Sequence, residues 1–192
     1  QSSGIEAELS AATRSGGRTF DYPEGGAASQ GIVNAAGSLA SVRNATVEVE
    51  DARTVTGSVT SGGFCGKNNT HTTYFAIELD QDAQAFGTWQ GSTVSPGDPS
   101  AAGNGAGAWL TCAPGATVHA QVGMSYVSVE GARANLAAEI PGFDFDAVRD
   151  ANRAAWSDLL GKVRVAGEDA DDLTMFYTSL YHSLLHLALR HS

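Results

Sequence analysis

Basic residues are scarce in this chain: 11 Lys and Arg stand against 21 Asp and Glu over 192 residues, a net charge of -10. No run of Lys or Arg occurs anywhere. That excludes a nucleic-acid surface, which needs clustered cations to displace the counterions of phosphate. Long apolar runs are missing too. No stretch approaches the roughly 20 residues that span a bilayer, so no membrane span is expected. The first residues, Gln1-Ser2-Ser3-Gly4, carry neither the basic nor the apolar part of a signal peptide. Cysteine is limited to Cys65 and Cys112. One bridge between them would close a loop of about 47 residues, worth about 4 kcal/mol of chain entropy. The alternative is two free, buried thiols, and spacing alone leaves both open.

Recurrent catalytic signatures are also lacking. There is no Gly-x-Ser-x-Gly elbow and no glycine-rich loop ending in Lys-Ser or Lys-Thr. Gly103-Asn104-Gly105-Ala106-Gly107-Ala108 matches a dinucleotide fingerprint in letters, but it leads into a strand rather than a helix. His182 and His186 lie four apart on a helical pattern, so they share a face. A metalloprotease would need Glu where Ser183 stands, and zinc would need a third ligand, His71 or His119, from the sheet. Packing at an interface is the better reading of the pair. Carboxylates for glycosidic cleavage would have to come from Asp80 and Asp82 or from Glu168, Asp169, Asp171 and Asp172. The first two fit a solvated turn, and the second group fits the start of a helix.

What is abundant is glycine, 23 of 192 residues. Between the glycine-rich turns lie alternating segments. Ile5, Ala7, Leu9 and Ala11 share one side of a first strand, with Glu6 and Glu8 on the other. Residues 19–22 form a second. Val47, Val49, Val55 and Val59 mark residues 45–59, where Gly57 suits a bulge or bend. In residues 72–79, Phe75, Ile77 and Leu79 oppose Tyr74, Ala76 and Glu78. Residues 86–90 and 108–112 each carry a Trp, Trp89 and Trp109. Either could stack on a sugar, although a core role suits an indole better. Residues 91–107 lack core-forming side chains and read as a mobile, exposed loop. The longest strand is expected over residues 117–129. Strands at this spacing predict a mainly β fold, an antiparallel β-sandwich.

The period then changes. Phe145, Val148, Asn152, Ala155, Trp156 and Leu159 repeat at helical spacing, with Asp144 as N-cap and Gly161 as stop. A second helix carries Leu173, Phe176, Leu180, Leu184 and Leu187, and Tyr177, Tyr181 and Leu185 widen its apolar face. Such a helix needs burial on more than one side, and it could also dock on a partner as an interaction module.

Several segments together resemble glycoside hydrolase family 92, the calcium-dependent exo-α-mannosidases. The strongest is Val122-Gly123-Met124-Ser125-Tyr126-Val127-Ser128-Val129-Glu130-Gly131-Ala132-Arg133-Ala134-Asn135-Leu136. Similar too are Gly4-Ile5-Glu6-Ala7-Glu8-Leu9, Arg18-Thr19-Phe20-Asp21-Tyr22-Pro23, residues 73–80 and 86–89, Pro141-Gly142-Phe143-Asp144-Phe145, and residues 176–186. The resemblance implies a β-sandwich over residues 1–139, a helical linker over 140–166, and the first helix of an (α/α)6 catalytic barrel over 167–192. The rest of that barrel is expected to lie beyond this chain. The family's earlier strands have no counterpart before Gln1. After His186 its Pro-Asn continuation is replaced by Leu187-Ala188-Leu189-Arg190-His191-Ser192, which reads as a frameshift or an artificial end.

For the parent protein the resemblance implies a secreted or periplasmic enzyme. It would hydrolyse terminal α-mannosides of glycans by inversion, with calcium as cofactor. The catalytic acid and base would lie farther on, so no catalytic residue and no metal ligand is expected here, and this chain alone should be an inactive scaffold. Its intramolecular partner would be the missing catalytic domain. Trp89, Trp109 and His186 are the residues best suited to meet substrate. The competing reading is a non-catalytic carbohydrate-binding β-sandwich.

Overall fold

The computed structural model describes residues 4–24, 29–38, 40–63, 66, 69–167 and 169–188, the last three by backbone alone. Among them are strands β1 (Glu6–Ala11), β2 (Ser15–Asp21), β3 (Ser29–Val33), β4 (Ser41–Val49), β5 (Thr54–Gly62), β6 (His71–Leu79), β7 (Ala85–Gln90), β8 (Thr93–Pro96), β9 (Ser100–Ala102), β10 (Ala106–Cys112) and β11 (Thr117–Ser125). Helices α1 (Val129–Glu139), α2 (Phe145–Leu160) and α3 (Ala170–Ala188) follow. Two compact units result, Gln1–Arg149 and Asp150–Ser192, with the boundary inside α2.

The first unit is a sandwich of two antiparallel sheets, as the strand spacing predicts. The larger has the order β1-β2-β11-β6-β5-β4-β9 and the smaller β3-β10-β7-β8. Side chains alternate across each strand, so one set from each sheet meets in the middle. Ala45, Val47, Val49, Val55, Leu79 and Val118 come from the larger sheet; Ala106, Ala108, Leu110 and Cys112 come from β10. The small side chains of β4 and β10 let these two strands pack closely.

Two glycines mark close approaches. A Cβ on Gly57 would sit 2.1 Å from the Thr46 carbonyl oxygen and 2.6 Å from the Phe75 ring. Gly57 is therefore no bulge. It stays in register between Val47 and Phe75, and the irregularity of β4 falls between Val42 and Asn44. On the opposite face of the larger sheet, a Cβ on Gly123 would lie 2.2 Å from the Ala132 carbonyl oxygen and 2.8 Å from Leu136. That absent Cβ is where α1 rests on β11.

Three expectations are corrected. The strand read through residue 129 ends at Ser125, and α1 begins four residues later. Ser128 caps α1, its hydroxyl accepting the Gly131 N–H at 3.0 Å. Tyr126, Val127 and Val129 around this cap are residues that favour strands, which hides the helix start. The second correction concerns residues 91–107, which form β8, β9 and their turns. Thr93 to Pro96 pair with β7, and Ser100 to Ala102 pair with β4. Backbone pairing, which composition does not report, orders the segment. Thirdly, β1 carries its apolar side exposed rather than half-buried. Its alternation is intact, but among the described residues no layer lies over it.

The helical signals hold. Asp144 accepts the Ala147 N–H at 3.0 Å, and the Gly161 N–H closes α2 onto the Ser157 carbonyl at 2.9 Å. Asp169 caps α3 by accepting the N–H of Asp171 at 2.8 Å. Within the second unit the Trp156 and Tyr181 rings lie 4.7 Å apart, and Tyr177 donates to the Val163 carbonyl at 3.3 Å. No helix among the described residues is long and apolar enough to cross a membrane.

Candidate functional site

The two aromatic candidates sit on the outer face of the smaller sheet, outside the core expected for them. Cross-strand register explains why. Trp109 pairs with Gly87, and Trp89 pairs with Gly107. A Cβ on Gly107 would fall 2.0 Å from the Trp89 ring, and one on Gly87 would fall 2.7 Å from Trp109. Each indole thus lies over the glycine of the adjacent strand and covers backbone that would otherwise meet water. The Trp109 Nε1 is enclosed without a hydrogen-bond partner among the described residues. Ile32 and Val94, opposite Trp109 and Trp89 respectively, are 68% and 60% exposed. The face is therefore an apolar stripe, short of the converging polar groups that orient a sugar.

The polar candidates lie elsewhere. His119, on β11, meets the Thr19 hydroxyl through Nδ1 at 3.0 Å, and its backbone N–H donates to the Asp80 carboxylate at 3.0 Å. Asp80 also takes a bond from Gln81, while Asp82 pairs with Arg53 at 2.5 Å. This is the turn function read for Asp80 and Asp82. His71 stacks edge-on against Tyr126, and His182 lies beside Tyr181. Sheet and helix histidines thus have separate neighbours. The side chain of His186 lies outside the described residues.

Sequence reasoning missed the most connected charged group. Arg133, on α1, bridges Glu50 at the end of β4 and Glu78 on β6. Thr56 donates to Glu50 at 2.8 Å, and Gln121 donates to Glu78 at 3.2 Å. Further along α1, Glu139 accepts the Arg14 backbone N–H at 2.8 Å, and Asn135 donates to the Met124 carbonyl at 2.8 Å. No spacing in the sequence marks this group, because its members come together only when 129–139 is a helix laid on the sheet. These bonds fasten α1 to the sheet. A glycosidase acid needs one carboxyl kept protonated and a second kept ionised. Glu50 and Glu78 instead share one Arg133 guanidinium and brace α1 against the sheet, a structural role.

Cys112 is buried beside Tyr22, and the two share a side-chain hydrogen bond. Burial, then the neighbouring Cys112 charge and hydrogen bond, pushes the Tyr22 phenol up to about 12. Burial likewise pushes the Cys112 thiol up, away from the reactive thiolate. Cys65, the other half of the bridge considered from sequence, lies outside the described residues. Among the described residues no three His, Cys, Asp or Glu side chains are grouped to hold a metal ion. Calcium prefers six to eight oxygen ligands. The carboxylates of Glu50 and Glu78 are engaged by Arg133, Thr56 and Gln121, so these residues do not fit that ion.

Residues 1–125 match the model of the glycosyl hydrolase family 92 N-terminal domain. The chain belongs to glycosyl hydrolase family 92. Residues 131–192 match the family 92 catalytic domain, a match that begins inside α1. Among curated proteins none matches the chain. Several solved family 92 structures do. The glycosyl hydrolase CcMan5 is 34% identical with a TM-score of 0.81, covering 92% of this chain and 24% of that one. An inverting family 92 mannosidase from Bacteroides thetaiotaomicron is 25% identical, with a TM-score of 0.82 over 94% of this chain and 24% of its own. A family 92 α-mannosidase from the same organism is 25% identical, with a TM-score of 0.80 over 93% and 25%. The chain therefore spans about a quarter of the length of these relatives.

Proposed function

We propose that the parent polypeptide is a secreted, calcium-dependent exo-α-mannosidase that inverts configuration, and that these 192 residues are its scaffold. The observation that supports this reading most is the likeness to CcMan5 and to the two mannosidases over more than nine-tenths of the chain. In an inverting reaction one carboxylic acid protonates the leaving oxygen, while a carboxylate draws a proton from water on the opposite face. Glu50 and Glu78 are committed to Arg133, and Asp80 and Asp82 to the turn, so neither role falls to these residues. The scaffold's contribution is α1, fastened to β2, β4, β6 and β11. It holds the chain at the point where the match passes from one family domain to the other.

The purified 192-residue chain is expected to release no mannose from α-mannosides, with or without calcium. The parent is expected to release it with inverted anomeric configuration, read by proton NMR before mutarotation. Calcium-dependent release by the short chain would overturn the scaffold reading; retention by the parent would overturn the mechanism.

A further inference from the structure

Asn104-Gly105 is the only place in the 192 residues where Asn or Asp precedes Gly. It lies in the glycine-rich stretch whose letters match a dinucleotide fingerprint, a stretch that forms a turn and a strand instead. That turn joins β9 of the larger sheet to β10 of the smaller. The Ala106 N–H donates to the Gly103 carbonyl at 3.3 Å, so Asn104 and Gly105 are the central pair of a four-residue turn. Both flanks are fastened. Gly103 and Ala45 of β4 exchange backbone hydrogen bonds at 2.9 and 3.1 Å, and the Gly105 carbonyl accepts the Gly91 N–H at 3.1 Å. The close approach of Gly91 explains why glycine stands at 105, since a Cβ there would lie 3.1 Å from the Gly91 nitrogen. Between these anchors the centre of the turn is open. Asn104 is exposed, and among the described residues neither its amide nor the Gly105 N–H has a hydrogen-bond partner. Asn135, by contrast, lies in α1 and donates to the Met124 carbonyl at 2.8 Å.

An asparagine carboxamide and the backbone nitrogen that follows it are tethered closely enough to close a five-membered ring. Two things usually prevent this: the side chain of the following residue, and a hydrogen bond that holds its nitrogen. Gly105 has no side chain, and its N–H is free of partners among the described residues. We propose that Asn104 is a self-modification site, converted through a succinimide into isoaspartate and aspartate. The Gly105 nitrogen attacks the Asn104 Cγ and forms the ring. Nδ2 leaves as ammonia, taking the proton of that nitrogen. Water then opens the ring. Cleavage between Cγ and the nitrogen leaves aspartate in an ordinary chain. Cleavage between the backbone carbonyl and the nitrogen leaves isoaspartate, with the chain routed through the former side chain. Nothing is oxidised or reduced; water enters and ammonia leaves. Isoaspartate adds a backbone atom between the Ala45 and Gly91 anchors, in the turn that ties one sheet to the other.

Ageing the purified 192-residue chain tests this without reference to mannose release. The chain is incubated in buffer and in urea, at pH 7 and at pH 9, then digested and analysed by mass spectrometry that separates isoaspartate from aspartate. Of the seven asparagines, Asn104 should convert first, with isoaspartate in excess over aspartate. The rate should be higher at pH 9, because the attacking nitrogen must shed its proton. In the folded chain it should be on the order of one-tenth of the rate in urea or faster, since an exposed turn opens at little cost. Isoaspartate in the whole chain, read by enzymatic carboxyl methylation, should fall to background in Asn104→Ser, with the urea midpoint kept. Conversion confined to urea overturns the proposal, because the folded turn then holds the nitrogen away from Cγ. Aspartate without isoaspartate, or a rate that does not rise with pH, overturns it in favour of direct hydrolysis. Undiminished isoaspartate in Asn104→Ser overturns it in favour of another site.

Discussion

Glycine and tyrosine carry the sharpest consequences at the scale of single residues. Gly123 lets the backbone of α1 approach β11 to a distance where any Cβ would overlap the Ala132 carbonyl. Gly123→Ala should cost about 1 to 3 kcal/mol, the range for overpacking, as a lower urea midpoint. Gly142→Ala, where nothing lies within 4 Å, should leave the midpoint unchanged. An equal effect of the two would dismiss the close-packing account. Tyr22 predicts a pH dependence. Its folded pKa is raised from 10.0 to about 12, so its contribution is complete below pH 10 and is lost as pH rises to 12. The unfolded state ionises first and is favoured in that window. Tyr22→Phe should flatten this part of the alkaline stability loss, measured by urea unfolding between pH 9 and pH 12. An unchanged slope would mean the phenol is not the group responsible.

Among the elements, α1 is the one whose identity and anchoring matter most. Packing of Leu136 and Ala132 against Gly123 supplies its apolar contact, and the Arg133 bridges fix its rotation. These carboxylate and guanidinium groups are about a third exposed, so solvent screens them. Arg133→Ala should therefore cost only about 1 kcal/mol, and the loss should shrink in high salt. Its coupling to Glu78→Gln in a double-mutant cycle should be smaller than the single effect. A loss that salt does not change would point to the packing of the Arg stem instead. The edge strand β1 shows the reverse situation. Its residues alternate as a buried strand should, yet it lies open because burial depends on a second layer that the alternation only anticipates.

For the molecule as a whole, the two family matches and the fold describe a stretch that crosses from one domain of a larger protein into the next. Arg133, Glu50, Glu78 and Glu139 are engaged in fastening α1 to the sheet, and Trp89 and Trp109 in covering glycines. The expected absence of mannose release by the chain alone belongs at this scale.

The sequence by itself determined the class of fold, the two-residue periods of the strands, the caps of α2 and α3, and the family resemblance. Each of these is local, written in side chains a few positions apart and in the conformations they favour. Only the tertiary structure decided three other matters. The first was the start of α1, because its capping Ser128 stands among Tyr126, Val127 and Val129, residues that favour strands. The second was that residues 91–107 are ordered, because their order comes from pairing with strands distant in sequence. The third was that Arg133, Glu50 and Glu78 form one group, since 28 and 55 positions separate them along the chain. Trp89 and Trp109 show the same division: their apolar character was legible, but which face they took depended on the glycine that register set opposite each one.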